Sequence, residues 1–98
     1  MARNVNIDNS EAISRRFFEA IEVLKGRRAL SSLSGFCIER GLSAPRYRAL
    51  RLAYGSTPKA GYECPYKYVE LSALSALVAG YGVDGSWLLT GRGNMFGK

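Results

Sequence analysis

A chain of 98 residues, 47% of them hydrophobic, is long enough to bury one small core and too short for two, which excludes a multidomain enzyme. Its formal net charge of +6 favours a polyanionic partner. With two cysteines and no histidine there are too few soft ligands for a tetrahedral zinc site and no secreted disulfide framework, so neither a metal nor another cofactor is expected.

Residues 1–9 are polar and without period, and read as a flexible arm ahead of a single domain at 10–98. Asp8 or Ser10 suits the N-cap of a first helix whose Ile13, Phe17, Ile21 and Leu24 form one stripe, widened by Phe18 and Ala20. Arg15 with Glu19, and Glu22 with Lys25, are spaced for helical ion pairs worth about 0.2 to 0.5 kcal/mol each. Gly26, followed by Arg27 and Arg28, ends that helix with cations at its carboxyl end.

From Ser31 to Gly55 the chain reads SSLSGFCIERGLSAPRYRALRLAYG, two short helices joined by a tight turn. Leu33, Phe36 and Cys37 share a face of the first; Gly41 gives the turn a residue free to take positive φ, and Leu42 plugs it. Ser43 is an N-cap, and Pro45 sits in the first helical turn, where a missing N–H has no intrahelical partner to lose. The second helix, from about Ser43 to Tyr54, turns Tyr47, Leu50 and Tyr54 inward and leaves Arg46, Arg48, Ala49 and Arg51 on the flanks and outside. Between Glu39 and Glu63 there is no acidic residue, whereas Arg40, Arg46, Arg48, Arg51 and Lys59 all fall there. A basic face of this kind attracts phosphates and gains free energy by releasing condensed counterions.

The following STPKAGYECPYK, broken by Pro58, Gly61 and Pro65, is a loop or short hairpin. Its Lys59 and Lys67 suit a phosphate backbone; Tyr62, Tyr66 and Tyr68 suit a connection tucked onto the core equally well. Cys64 lies in this polar loop, and Cys37 reads as a small buried hydrophobe. A helical period returns from about Glu70 to Tyr81, with Leu71, Leu74, Leu77, Val78 and Tyr81 on its inward face. Gly82 ends it, Val83 is a buried link, Asp84 caps a short helix carrying Trp87, Leu88 and Leu89, and Gly91 stops that helix. Trp87 reads as a core plug. The ending GRGNMFGK is not a phosphate loop: it offers no G-x-x-x-x-G-K-[ST] and no preceding strand. No segment approaches the roughly 20 apolar residues of a membrane span and no signal-peptide run opens the chain, so the expected location is the cytoplasm, with no membrane partner.

The succession of a long first helix, FCIERGLS, a basic third helix, an apolar fourth helix and VDGSWLLTGRGNMF resembles the lambda-repressor-like helix-turn-helix proteins of bacteria and phages, the XRE family. The closing W-L-L-T-G-x-G-x-M-F string, Trp87 to Phe96, is similar to one bacterial branch, and the likeness spans Ser14 to Phe96. The resemblance implies an all-α fold, a compact bundle of about five helices that binds double-stranded DNA as a homodimer on a palindromic operator and regulates transcription, in the repressor role. Phe36 and Leu42 match the family's core, Gly41 its turn, Ser43 its cap, and Tyr47 and Leu50 the buried side of its recognition helix; Ala44, Pro45, Arg46, Arg48 and Ala49 match positions that face DNA. Arg40 and Cys37 replace the family's usual apolar residue and alanine, the 55–68 loop is longer than its usual connection, and Pro45 removes a side chain that in relatives bonds a base.

These readings assign base contacts to Arg46 and Arg48 and phosphate contacts to Ser43, Arg51, Arg40 and Lys59. The alternative is a protein-interaction module built on the same fold: an antitoxin, an anti-repressor or an assembly factor. Single-stranded nucleic acid, which needs exposed stacking aromatics, fits less well because Tyr47 and Tyr54 fall at core spacing. Enzymatic activity is not expected: histidine is absent, the serines lack a companion base and the eight carboxylates are dispersed. No small-molecule ligand is expected.

Overall fold

The computed structural model describes residues 9–97. They form five helices and no strand: α1 (Asn9–Gly26), α2 (Leu33–Glu39), α3 (Ala44–Tyr54), α4 (Leu71–Tyr81) and α5 (Gly85–Thr90). The chain is thus the all-α bundle its periodicity predicts, and the 56–67 segment carries no hairpin. The proposed arm and the cap Asp8 lie outside the described residues, apart from Asn9, which opens α1.

The apolar stripe of α1 becomes the floor of the core, with Phe17, Phe18, Ala20, Ile21 and Leu24 buried. The Phe17 ring lies 4.9 Å from that of Phe18, 6.0 Å from Phe36 of α2 and 5.8 Å from Tyr47 of α3. Three helices therefore converge on one aromatic cluster, whose edge-to-face and tilted contacts add to the area buried. Ser14, also buried, is the polar exception on this face; its Oγ accepts the Val69 amide at 3.2 Å and pins the long connection to α1.

One local expectation for α1 shifts. Arg15 pairs with Glu11 at 2.8 Å rather than with Glu19, while Lys25 and Glu22 sit at 3.8 Å. Helical side chains lean toward the N-terminus, so an arginine reaches back to a glutamate one turn earlier. The helix ends at Gly26 as expected, and the left-handed residue that follows is Arg28, with φ 63°. The Ala29 amide bonds the Leu24 carbonyl at 2.9 Å, which places the reversal two residues beyond the glycine.

In α4 the buried residues are Ala73, Leu74 and Leu77; Leu71 is 78% exposed and Val78 41% exposed. The expected inward face of Leu71, Leu74, Leu77, Val78 and Tyr81 is therefore rotated. LSALSALVAGY is apolar around most of its circumference, so periodicity alone does not choose a side, and the small Ala73 lets α4 approach the core closely. The remaining punctuation is as expected: Gly82 takes φ 75°, Val83 is buried, Asp84 Oδ2 accepts the Trp87 amide at 2.9 Å, and Gly91 takes φ 81°. Trp87 is a buried plug. Helix α5 is tied to α1 by Arg16 Nε, which donates to the Leu88 carbonyl at 2.8 Å, and by Asn9 Nδ2, which donates to the Leu89 carbonyl at 3.1 Å. Beyond Gly91 the chain folds back, the Asp84 amide donating to the Met95 carbonyl at 2.7 Å and Phe96 lying under the Arg27 guanidinium at 4.3 Å.

The rotation of α4 has a direct test in urea unfolding. Leu71→Ala is expected to change stability by less than about 0.5 kcal/mol, whereas Leu77→Ala, which empties part of the core, lowers it by about 2 to 5 kcal/mol.

Candidate nucleic-acid interface

Ser32 caps α2, its Oγ accepting the Gly35 amide at 2.9 Å, and Leu33, Phe36 and Cys37 of α2 turn inward. The helix closes with the Arg40 amide on the Phe36 carbonyl at 3.1 Å, Gly41 in the left-handed region at φ 72°, and the Leu42 amide on the Cys37 carbonyl at 2.7 Å. A residue with a Cβ would be strained at Gly41. Ser43 Oγ then accepts the Arg46 amide at 3.3 Å, Pro45 occupies the first turn, and α3 departs across α2 and α1. This is the short helix, tight turn and second helix that the sequence predicts.

On α3, Tyr47 and Leu50 are fully buried, and Tyr54 is half-buried. The Tyr54 hydroxyl donates to the Lys67 carbonyl at 2.7 Å and its ring lies 6.2 Å from that of Tyr68. Pro45, Arg48 and Leu52 face solvent, while Ala44, Ala49 and Arg51 lie half-buried on the flanks. Arg48 is braced rather than loose: its guanidinium donates to Ser34 Oγ of α2 at 3.1 Å. Ser43, ahead of the first turn of α3, is also exposed.

The other cations sit in separate settings around α3. Arg40 lies over the Tyr81 ring at 5.3 Å with its guanidinium packed against Gly80. Lys59 is exposed on the connection, its amide bonded to the Leu52 carbonyl at 2.8 Å. Arg46, expected with Arg48 on the flanks and outside, lies half-buried on one flank. Its guanidinium sits 5.0 Å from the Tyr66 ring centre, one nitrogen is 3.8 Å from Glu70 Oε2, and its Nε is buried with no partner among the described residues. The 56–69 connection thus forms a strap along α3, which supplies Arg46 with its partners; a segment without period gives no advance sign of this.

Glu70 binds the strap to α3. The Tyr47 hydroxyl donates to Glu70 Oε1 at 2.9 Å and accepts the Glu70 amide at 3.1 Å. Glu70 stands at the N-cap of α4 yet makes no side-chain cap, because its carboxylate is turned to α3. Burial, foremost, pushes the Tyr47 phenol well above its ordinary value. Burial likewise raises the Cys37 thiol, against the opposing pull of Arg48, and keeps it an inert hydrophobe. Cys64 is half-buried against the core.

Away from α3, the outer sides of α4 and α5 form an apolar groove of Leu71, Val78, Leu88 and Leu89 with Ser75 and Gly85 between them. No lysine or arginine occurs from Tyr68 to Gly91, and Asp84 is the one carboxylate between Leu71 and Gly91. Among the described residues no cluster of histidine, cysteine, aspartate or glutamate could hold a metal ion, and no helix is long and apolar enough to cross a membrane. No protein-family model, curated protein or solved structure matches the chain.

The raised Tyr47 phenol makes stability depend on alkaline pH. The folded chain keeps that proton after the unfolded chain begins to lose it near pH 10, so stability is full below about pH 10 and falls as pH rises further. Thermal unfolding between about pH 8 and about pH 11 is expected to show this fall, and a shallower one in Tyr47→Phe. That variant starts about 1 to 2 kcal/mol less stable at neutral pH, because the Glu70 amide loses its acceptor and its carboxylate a donor.

Proposed function

We propose that this chain is a lambda-repressor-like helix-turn-helix regulator of transcription that reads double-stranded DNA with α3 in the major groove. The observation that carries this reading is the two-sidedness of α3. An inward edge of Tyr47 and Leu50 locks the helix against α1 and α2, and an outward edge of Pro45, Arg48 and Leu52 contains no carboxylate. Arg48, held by Ser34, is preorganised for bidentate bonding to guanine O6 and N7. Leu52 offers an apolar contact to a thymine methyl. The exposed Ser43 hydroxyl suits a phosphate oxygen. Arg51 and Lys59 flank the same helix as phosphate contacts; Arg40, stacked on Tyr81, serves from the edge of the surface.

Two copies on a palindromic site are expected to meet through the α4–α5 groove. In a chain of net charge +6, this groove has no lysine or arginine in its lining, so a second copy can approach it with little repulsion. The role that needs nothing beyond occupancy of such a site is repression. The same apolar groove is the feature that favours the second reading, a protein-interaction module with an apolar partner.

The test is selection from a pool of random duplex DNA at increasing salt, followed by sequencing of what remains bound. The expected result is an enriched palindrome with half-sites about one helical turn apart, on which Arg48→Ala loses about 1 to 3 kcal/mol and relaxes one base position. Salt-independent behaviour with no DNA retained would turn the assignment to the interaction module.

A further inference from the structure

Glu70 is an odd residue to find beside a surface meant for phosphates, and its position explains itself poorly as structure alone. A carboxylate at the N-cap of α4 has a ready use, capping the amides of its own helix, and Glu70 forgoes it. One oxygen instead accepts the Tyr47 hydroxyl at 2.9 Å, a task the carbonyl of a glutamine performs equally well. The other oxygen, with its charge, faces the Arg46 guanidinium at 3.8 Å. The Tyr66 ring takes the face of that guanidinium at 5.0 Å.

We infer that Glu70 is a positioning residue that, with Tyr66, holds Arg46 back from DNA and so sets the discrimination between a matching site and random duplex. This rests on the DNA-binding reading above. Docked on the strap, Arg46 leaves its Nε buried and unpartnered, a strain relieved when the side chain swings out to an acceptor. An exposed pair of this length is worth little in stability, so the restraint is weak enough for a well-placed phosphate or base to overcome. Random DNA meets one cation fewer and one carboxylate more; a matching site, which seats α3 closely, draws Arg46 out. Specificity is a difference of affinities, and this carboxylate acts on the unwanted partner.

The experiment measures binding of the full chain to random duplex and to the duplex selected above, across a salt series, for wild type, Glu70→Gln and Tyr66→Leu, each also carrying Arg46→Ala. Glu70→Gln retains the acceptor for Tyr47 and is expected to melt like wild type. It should bind random duplex about threefold to tenfold more tightly, bind the selected duplex with a smaller gain, and steepen the salt dependence by about one counterion. Tyr66→Leu, which keeps an apolar contact and removes the ring face, should move the same way and serves if Glu70→Gln fails to fold. Both gains should vanish on the Arg46→Ala background, as coupled residues require. A gain that persists there in full means the carboxylate repels phosphates directly, and overturns the positioning role. Unchanged binding by both single variants overturns it too, while leaving the DNA-binding reading intact. Failure of wild type and variants alike to bind any duplex overturns that reading first.

Discussion

Tyr47 brings one polar atom into the centre of the bundle, and that atom must be satisfied there. The ring packs at 5.8 Å from Phe17, and the hydroxyl both donates to and accepts from Glu70. These contacts fix the rotation of α3 about its axis, since a helix turned by one residue would lose the aromatic packing and leave the phenol, the Glu70 amide and the carboxylate without partners. Once the rotation is fixed, the neighbours of Tyr47 have no freedom of side: Arg46 goes to the strap flank and Arg48 to the Ser34 flank and solvent. The chemistry of the outer face is thus set from inside.

The same constraint accounts for the long connection between α3 and α4. A shorter link would join the helices, but it would bring no Tyr66 beneath Arg46 and no Tyr68 against Tyr54. The strap is held at its far end by Ser14 and Val69, at its middle by the Tyr54 hydroxyl on the Lys67 carbonyl, and near its start by the Lys59 amide on Leu52. Its backbone is thereby tied to α1 and α3 at three points, without a sheet of its own. Burial of a hydroxyl at Ser14 follows the same logic, a polar group kept inside because it answers a specific amide.

Features encoded within a few residues were legible in the sequence. The α1 stripe, the caps at Ser43 and Asp84, and the reversals at Gly41, Gly82 and Gly91 each depend on local geometry. The features that were not legible depend on partners far along the chain or on a choice that composition does not make. Arg46 meets Glu70 and Tyr66 across a segment with no period, and Arg40 meets Tyr81. In α4 apolar residues on several sides leave its inward face to be chosen by the rest of the core. Along α3 the pattern anticipated the buried Tyr47 and Leu50 and left Arg46, Arg48, Ala49 and Arg51 on the flanks and outside, whereas the partners that hold Arg46 on its flank were not legible.

We propose that DNA meets the outer edge of α3 and not the apolar face of α4 and α5. Amide chemical shifts of isotope-labelled protein, followed during titration with duplex DNA, test it most directly because they report on both surfaces in one experiment. Shifts are expected to concentrate from Ser43 to Leu52 and at Lys59, with the Arg48 side chain among them. Shifts confined to α4 and α5, with α3 silent at saturating duplex, would contradict it.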